Sequence, residues 1–148
     1  MSINNRFPKN SRQALLKCYL VLLTLFFAAC QSSQQLKTEQ YFAEGYQLYT
    51  ANCANCHQPE GDGMANLYPP LVGSVSIKDK ALFACIIKNG MKDTLIVAGK
   101  KFSRPMPANP KLTDLEIAEI ISYVGMKWGK DSTLTPIEVV NKALQQCP

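Results

Sequence analysis

The side chains best suited to chemistry in this chain lie together in Cys53-Ala54-Asn55-Cys56-His57. Two thiols two residues apart can be presented by one helical turn, and an imidazole follows at once. This is the C-x-x-C-H pattern of haem attachment. The spacing has a chemical reason: both sulfurs reach one edge of a porphyrin and add to its two vinyl groups. The adjacent histidine is then held under the iron as a proximal ligand. Three other chemistries compete for the pattern. A thioredoxin-like dithiol needs a buried strand ahead of the first cysteine, and no strand pattern precedes Cys53. A structural zinc site needs further ligands at paired spacing, whereas Cys85 and Cys147 stand alone. A disulfide loop with an incidental histidine is the third. Haem attachment is the reading adopted.

Helices must hold such a motif. Tyr41, Gly45, Leu48, Tyr49 and Asn52 keep helical spacing ahead of it, and Gly45 lets another backbone approach closely. Thr113 with Glu116 forms a capping box before Ile117, Ile120, Ile121 and Val124. A helix is predicted from about Lys78 to Asn89, ending at Gly90 as a C′ glycine. Thr135-Pro136-Ile137-Glu138 predicts a further start with Pro136 at the first helical position, so that Glu138 to about Gln146 makes a short C-terminal helix. The expected fold class is all-α.

Around the motif, ordered features resemble a class I c-type cytochrome. Glu44-Gly45-Tyr46-Gln47-Leu48-Tyr49 is similar to the family's Gly-x-x-x-aromatic. Gly61-Asp62-Gly63, Tyr68-Pro69-Pro70-Leu71, Arg104-Pro105-Met106-Pro107-Ala108 and Leu112-Thr113 through Val124 follow in the family's order. The resemblance runs from about residue 38 to about residue 130. It implies a small fold of helices wrapped around one covalently bound haem c and its iron. It further implies that the first and last core helices cross, with Gly45 and Tyr49 against Ile120 and Tyr123. Pro69 carries over as the residue whose carbonyl accepts the Nδ1 proton of His57, a bond that fixes the imidazole and raises its basicity.

The sixth iron ligand can also be approached from the residues alone. His57 is the only histidine in the chain, which excludes a second imidazole from the same molecule. A methionine, a lysine amine, or a vacant or water-filled position remains. Met64 is too near His57 in sequence to reach the opposite haem face easily, Met126 falls in a helical pattern, and Met91 follows Gly90 as a weaker candidate. Met106 lies between two prolines, where the backbone is stiffened and removed from helix, and it also matches the family position. With His57 and Met106 both on the iron no open site is left for a substrate. Methionine opposite histidine also raises the potential.

The remaining cysteines and the charge depend on the N-terminus. Residues 1–29 hold Arg6, Lys9, Arg12 and Lys17 and no acidic residue, and Tyr19 to Ala29 is an apolar run of 11 residues. That is short of the roughly 20 needed to span a bilayer and suits the core of a signal peptide. Phe27-Ala28-Ala29-Cys30 resembles the lipobox of bacterial lipoproteins, which implies lipidation at Cys30. The expected organisation is therefore a signal peptide over 1–29, a polar tether over 30–40 and a cytochrome c domain over 41–148 with a C-terminal helical extension. Ordinary signal-peptidase cleavage, leaving Cys30 a free thiol, is the alternative. Removing the leader reduces 16 basic residues to 12 against 11 acidic ones, so the net charge falls from +5 to +1. No basic stripe is left for nucleic acid. Export exposes the chain to oxidising conditions, where Cys85 and Cys147 can pair as a disulfide; two buried thiols are the alternative.

These readings lead to an exported electron carrier, lipid-anchored to a bacterial membrane and facing the periplasm or cell exterior. It is expected to be no enzyme, to take no small-molecule substrate, and to exchange single electrons with redox protein partners. Lys88, Lys92, Lys100 and Lys101 are candidates for a docking rim. The alternatives are a haem subunit of a dehydrogenase or reductase complex, and a haem-based gas sensor.

Overall fold

The computed structural model describes residues 9–28 and 32–147. Two compact units divide the chain between Leu36 and Lys37. The first holds helix α1 (Lys9–Ala28). Leu15, Leu16, Tyr19, Leu20 and Val21 on it are apolar yet exposed, so this is not a core helix. Among the described residues no helix is long and apolar enough to cross a membrane.

Helix α2 (Ser33–Asn52) begins earlier than the sequence suggested. The polar segment expected to be a tether is helical from Ser33, because Ser32 accepts the Gln35 N–H on its hydroxyl at 3.2 Å and starts the helix. Gln34, Gln35 and Leu36 are nevertheless exposed. The buried face of α2 is Tyr41, Gly45 and Tyr49, the i, i+4, i+8 stripe of an amphipathic helix. It packs on α5 (Asp114–Val124). At the crossing a Cβ on Gly45 would stand 2.6 Å from the Tyr123 Cβ and closer still to the Glu119 carbonyl oxygen, so only glycine admits this approach.

The start of α5 is fixed by the expected capping box: the Thr113 hydroxyl accepts from the Glu116 N–H at 3.3 Å, and Glu116 accepts from the Thr113 N–H at 2.7 Å. Hydrogen bonds from the Thr113 N–H and hydroxyl hold the Glu116 carboxyl below its usual pKa. Helix α4 (Lys80–Asn89) starts two residues later than predicted, since Asp79 caps it by accepting from the N–H groups of Ala81 and Leu82. Ser76–Lys78 forms a separate 3₁₀ turn ahead of it. Helix α6 (Ile137–Leu144) lies against α4 and α5. Pro136 stands just before it in extended backbone (ψ 143°) rather than at its first helical position. Val140 and Ala143 join the core with Phe83, Ala84, Ile87, Ile117, Ile120, Ile121 and Val124.

The strand pair was not foreseen. Strands β1 (Leu95–Val97) and β2 (Lys100–Phe102) form an antiparallel hairpin across Ala98 and Gly99, both at positive φ. The signal was a run of Leu95, Ile96 and Val97 followed by a two-residue turn ending in glycine.

Candidate haem site

The attachment motif occupies the one-turn helix α3 (Ala54–His57), whose N-cap is Cys53. The N–H groups of Cys56 and His57 both bond the Cys53 carbonyl, at 3.1 and 2.9 Å, so both sulfurs are presented by the same turn. Cys53 and Cys56 are not joined to each other as a disulfide, and both line one cleft. Burial, with the neighbouring Cys56 second, pushes the Cys53 thiol up to about 12.

His57 is 8% exposed, and its Nδ1 lies 3.0 Å from the Pro69 carbonyl oxygen. A carbonyl only accepts, so Nδ1 carries the proton and Nε2 keeps a lone pair for a metal. Burial lowers the imidazole pKa, with the Pro69 bond opposing it, and the ring is held neutral as a ligand must be. The loop that delivers Pro69 is folded back tightly. Gly63 donates to the His57 carbonyl at 2.9 Å, Leu71 donates to the Gly61 carbonyl at 2.8 Å, and a Cβ on Gly63 would run into the backbone of Tyr68 and Pro69. Tyr49 ties this end of the cleft to α2 by donating its hydroxyl to the Gln58 carbonyl at 2.6 Å.

Trp128, which sequence reasoning did not single out, packs under the same loop. A Cβ on Gly61 would stand 2.7 Å from its ring, and its ring centroid is 5.1 Å from that of Tyr49. Trp128 is carried by a π turn (Gly125–Gly129) continuing α5. No helical period extends through that turn, which hid the residue from a pattern search.

Met106 reaches the cleft from the hairpin side. It forms an isolated antiparallel bridge with Met91, donating to the Met91 carbonyl at 2.8 Å and accepting from the Met91 N–H at 3.0 Å. This continues the hairpin's own register, in which Leu95 opposes Phe102. Alternate residues of a strand share a face, and Met91, Asp93, Leu95, Phe102, Arg104 and Met106 all line the cleft, while Ile96 is 71% exposed. The loop beyond Met106 is tied to the end of α4. Asn109 bonds the Ile87 and Lys88 carbonyls, and the Lys88 amine donates to the carbonyls of Leu112 at 2.6 Å and Pro110 at 3.2 Å. Lys88 is thus committed to positioning this loop and leaves the candidate docking rim. Lys92, Lys100 and Lys101 are exposed on and beside the hairpin.

The cleft holds about 900 Å³ of atom-free space, counting the solvent at its mouth. Its other lining groups include Leu71, Ile77, Phe83, Ile86, Ile87, Ile120 and Val124. The apolar lining suits a cofactor pocket, and its donors are two cysteine sulfurs on one turn, a neutral imidazole with Nε2 unengaged, and thioethers. These residues fit a covalently attached haem. The cleft brings together Cys53, Cys56, His57, Pro69 and Met106. Cys85 and Cys147 lie off it and are joined as a disulfide, with Cα atoms 5.6 Å apart, so that α4 is bound to the residues after α6. Cys30 falls outside the described residues.

The family model "Cytochrome c" matches residues 42–127. Cytochrome c-552 of Thermus thermophilus is 32% identical over 92 residues, which is 59% of this chain and 70% of that protein. A second Thermus thermophilus cytochrome c-552 shows the same identity over 62% of its length. The cytochrome c subunit of alcohol dehydrogenase (quinone) from Gluconobacter oxydans is 29% identical over 91 residues, 60% of this chain but 19% of that longer protein. The haem, when bound, supplies an iron that accepts and releases one electron. The protein's part is to bind it, orient its ligands and exclude water. Helical core, attachment turn and matched relatives agree: the chain is a member of the cytochrome c family, an electron-transfer protein carrying covalently attached haem c.

Proposed function

We propose that this chain is a lipid-anchored monohaem electron carrier, with Cys53 and Cys56 as the thioether attachment points and His57 and Met106 as the axial ligands. The observation that carries the reading is the placement of His57 and Met106 on one cleft, His57 with Nδ1 engaged by Pro69 and Met106 held by the loop tied to α4. Two protein ligands leave the iron without a site for substrate, so electrons pass through the haem edge and no bond is made or broken. The protein is no enzyme on this reading, and its partners are redox proteins that approach the cleft mouth. Lys92, Lys100 and Lys101 on and beside the hairpin form the docking rim; reduction by a purified partner then slows as salt rises.

The test of ligation is the oxidised spectrum. Wild type shows a sulfur-to-iron charge-transfer band, Met106→Ala loses it, and Met91→Leu keeps it. An oxidised Met106→Ala protein that retains the band removes Met106 from the resident ligand set.

The anchor rests on Phe27-Ala28-Ala29-Cys30 and the basic, apolar leader. Two acyl chains make attachment stable, at about 0.8 kcal/mol for each buried methylene. Metabolic labelling with a radioactive fatty acid is expected to mark the wild-type protein and not Cys30→Ser, and an unlabelled wild-type protein refutes lipidation at Cys30. A second reading is favoured by the quinone alcohol dehydrogenase relative: the chain is a haem subunit kept in a permanent complex. Copurification of a catalytic subunit in constant proportion selects it.

A further inference from the structure

We propose that Met91 is a second thioether for the haem iron, taking the sixth position of the ferrous centre when Met106 is lost or displaced; this rests on His57/Met106 ligation. The hairpin supplies the geometry. Following its register outward from Leu95 and Phe102, Asp93 stands opposite Arg104 and Met91 opposite Met106, and there both mutual backbone bonds are made, at 3.0 and 2.8 Å. Directly opposed residues of an antiparallel pair carry their side chains on the same face, and in a hydrogen-bonded pair their Cα atoms are about 5.5 Å apart. Both methionines are half-buried and both line the cleft. A methionine side chain turns about three single bonds. One sulfur can therefore replace the other by rotamer changes alone, with the backbone bridge intact.

The chemistry selects Met91 among its neighbours. Of the other cleft-lining groups beside Met106, Asp93 offers a hard carboxylate and Arg104 no acceptor at all; the Arg104 guanidinium lies 5.3 Å from the centre of the Tyr68 ring. Met64 and Met126 do not line the cleft. A thioether opposite histidine favours ferrous iron, so the reserve acts in the reduced state and leaves the oxidised spectrum of Met106→Ala without its charge-transfer band. The consequence is a reduced carrier that stays closed to small diatomic ligands even when its resident methionine is absent.

The experiment compares purified holoproteins of wild type, Met91→Leu, Met106→Ala and Met106→Ala/Met91→Leu. Leucine keeps the volume of the replaced methionine, so folding is preserved while one sulfur is removed. An alkaline pyridine spectrum reports covalent haem in each; its absence would refute the attachment reading and not the present proposal. The ferrous Met106→Ala protein is expected to be low-spin and to bind carbon monoxide with an apparent affinity about tenfold weaker than the double variant, because the competent form is then about a tenth of the total. The same tenfold preference places the midpoint potential of Met106→Ala about 59 mV above that of the double variant. Equal carbon monoxide affinities and equal potentials for the two overturn the proposal. So does loss of the wild-type charge-transfer band in Met91→Leu alone, which would make Met91 the resident ligand.

Discussion

Replacing Gly45 by alanine tests the helix crossing that holds the cleft open. Two effects oppose each other. Alanine is better than glycine inside a helix by about 0.8–1.0 kcal/mol, which favours the variant. Against this, the new Cβ would sit 2.6 Å from the Tyr123 Cβ, nearer still to the Glu119 carbonyl oxygen and 2.9 Å from the Glu119 carbonyl carbon. Ordinary carbon contacts are about 3.5–4.0 Å, so α2 and α5 must part by roughly 1 Å. The atoms in the way belong to the backbone and Cβ positions of α5, and no rotamer change relieves them. Parting the helices loosens Tyr41, Tyr49, Ile120 and Tyr123, which are all buried. Overpacking of this kind costs about 1–3 kcal/mol. Taking the upper part of that range for a backbone collision, the net loss is about 2 kcal/mol, or roughly 8 °C in Tm for a domain of this size. The assay is guanidinium unfolding of the holoprotein followed by far-ultraviolet circular dichroism. Gly125→Ala is the control, since its Cβ would meet nothing nearer than 3.7 Å and its φ is ordinary; it should be neutral or stabilising. A Gly45→Ala protein as stable as wild type would refute the close crossing.

Further outcomes follow from other features. Gly90 holds φ at +74° and a Cβ there would stand 2.5 Å from the Met106 carbonyl oxygen, so Gly90→Ala should weaken the oxidised charge-transfer band while covalent haem remains. An unchanged band would show that the turn does not position Met106. The Cys85–Cys147 bridge spans 62 residues, and on the chain-entropy model replacing both by serine costs about 4 kcal/mol, measured by the same unfolding assay. Asp131 is held at about 2 by the Thr133 hydroxyl first, then the Thr133 N–H and Lys80, whose amine is 3.0 Å away. A depressed carboxyl stabilises the fold above its unfolded pKa, and that contribution is lost as pH falls from about 4 towards 2. The pair is partly exposed, so Asp131→Asn should cost at most about 1 kcal/mol at neutral pH and flatten the acid limb of the stability profile. A variant with an unchanged acid limb would assign acid sensitivity to other groups.

Much of this site could be read from residues in a row. The attachment turn, the capping box of Thr113 and Glu116, and the glycine that closes α4 are all local, with partners within four residues. The bond from His57 to Pro69 crosses 12 positions and was accessible only through the family's order of motifs. Three features escaped for physical reasons. The Met91–Met106 bridge depends on hairpin register, which a short strand pair set in a helical chain does not advertise. The side chain of Lys88 is indistinguishable in sequence from a solvated lysine until its two carbonyl partners come round from Pro110 and Leu112. Trp128 meets Gly61 through a π turn, where neither a helical nor a strand period applies.

The disulfide between α4 and the residues after α6 also bears on how the molecule is made. Cys53, Cys56, Cys85 and Cys147 can pair in three ways, and only the pairing of Cys85 with Cys147 leaves the two attachment sulfurs to each other. Cys53 and Cys56 are neighbours in the chain, whereas Cys85 must wait for a partner 62 residues further on. On the attachment proposed above, thioether formation would withdraw Cys53 and Cys56 from exchange, so that haem acts as a protecting group for them and Cys85 is left to find Cys147.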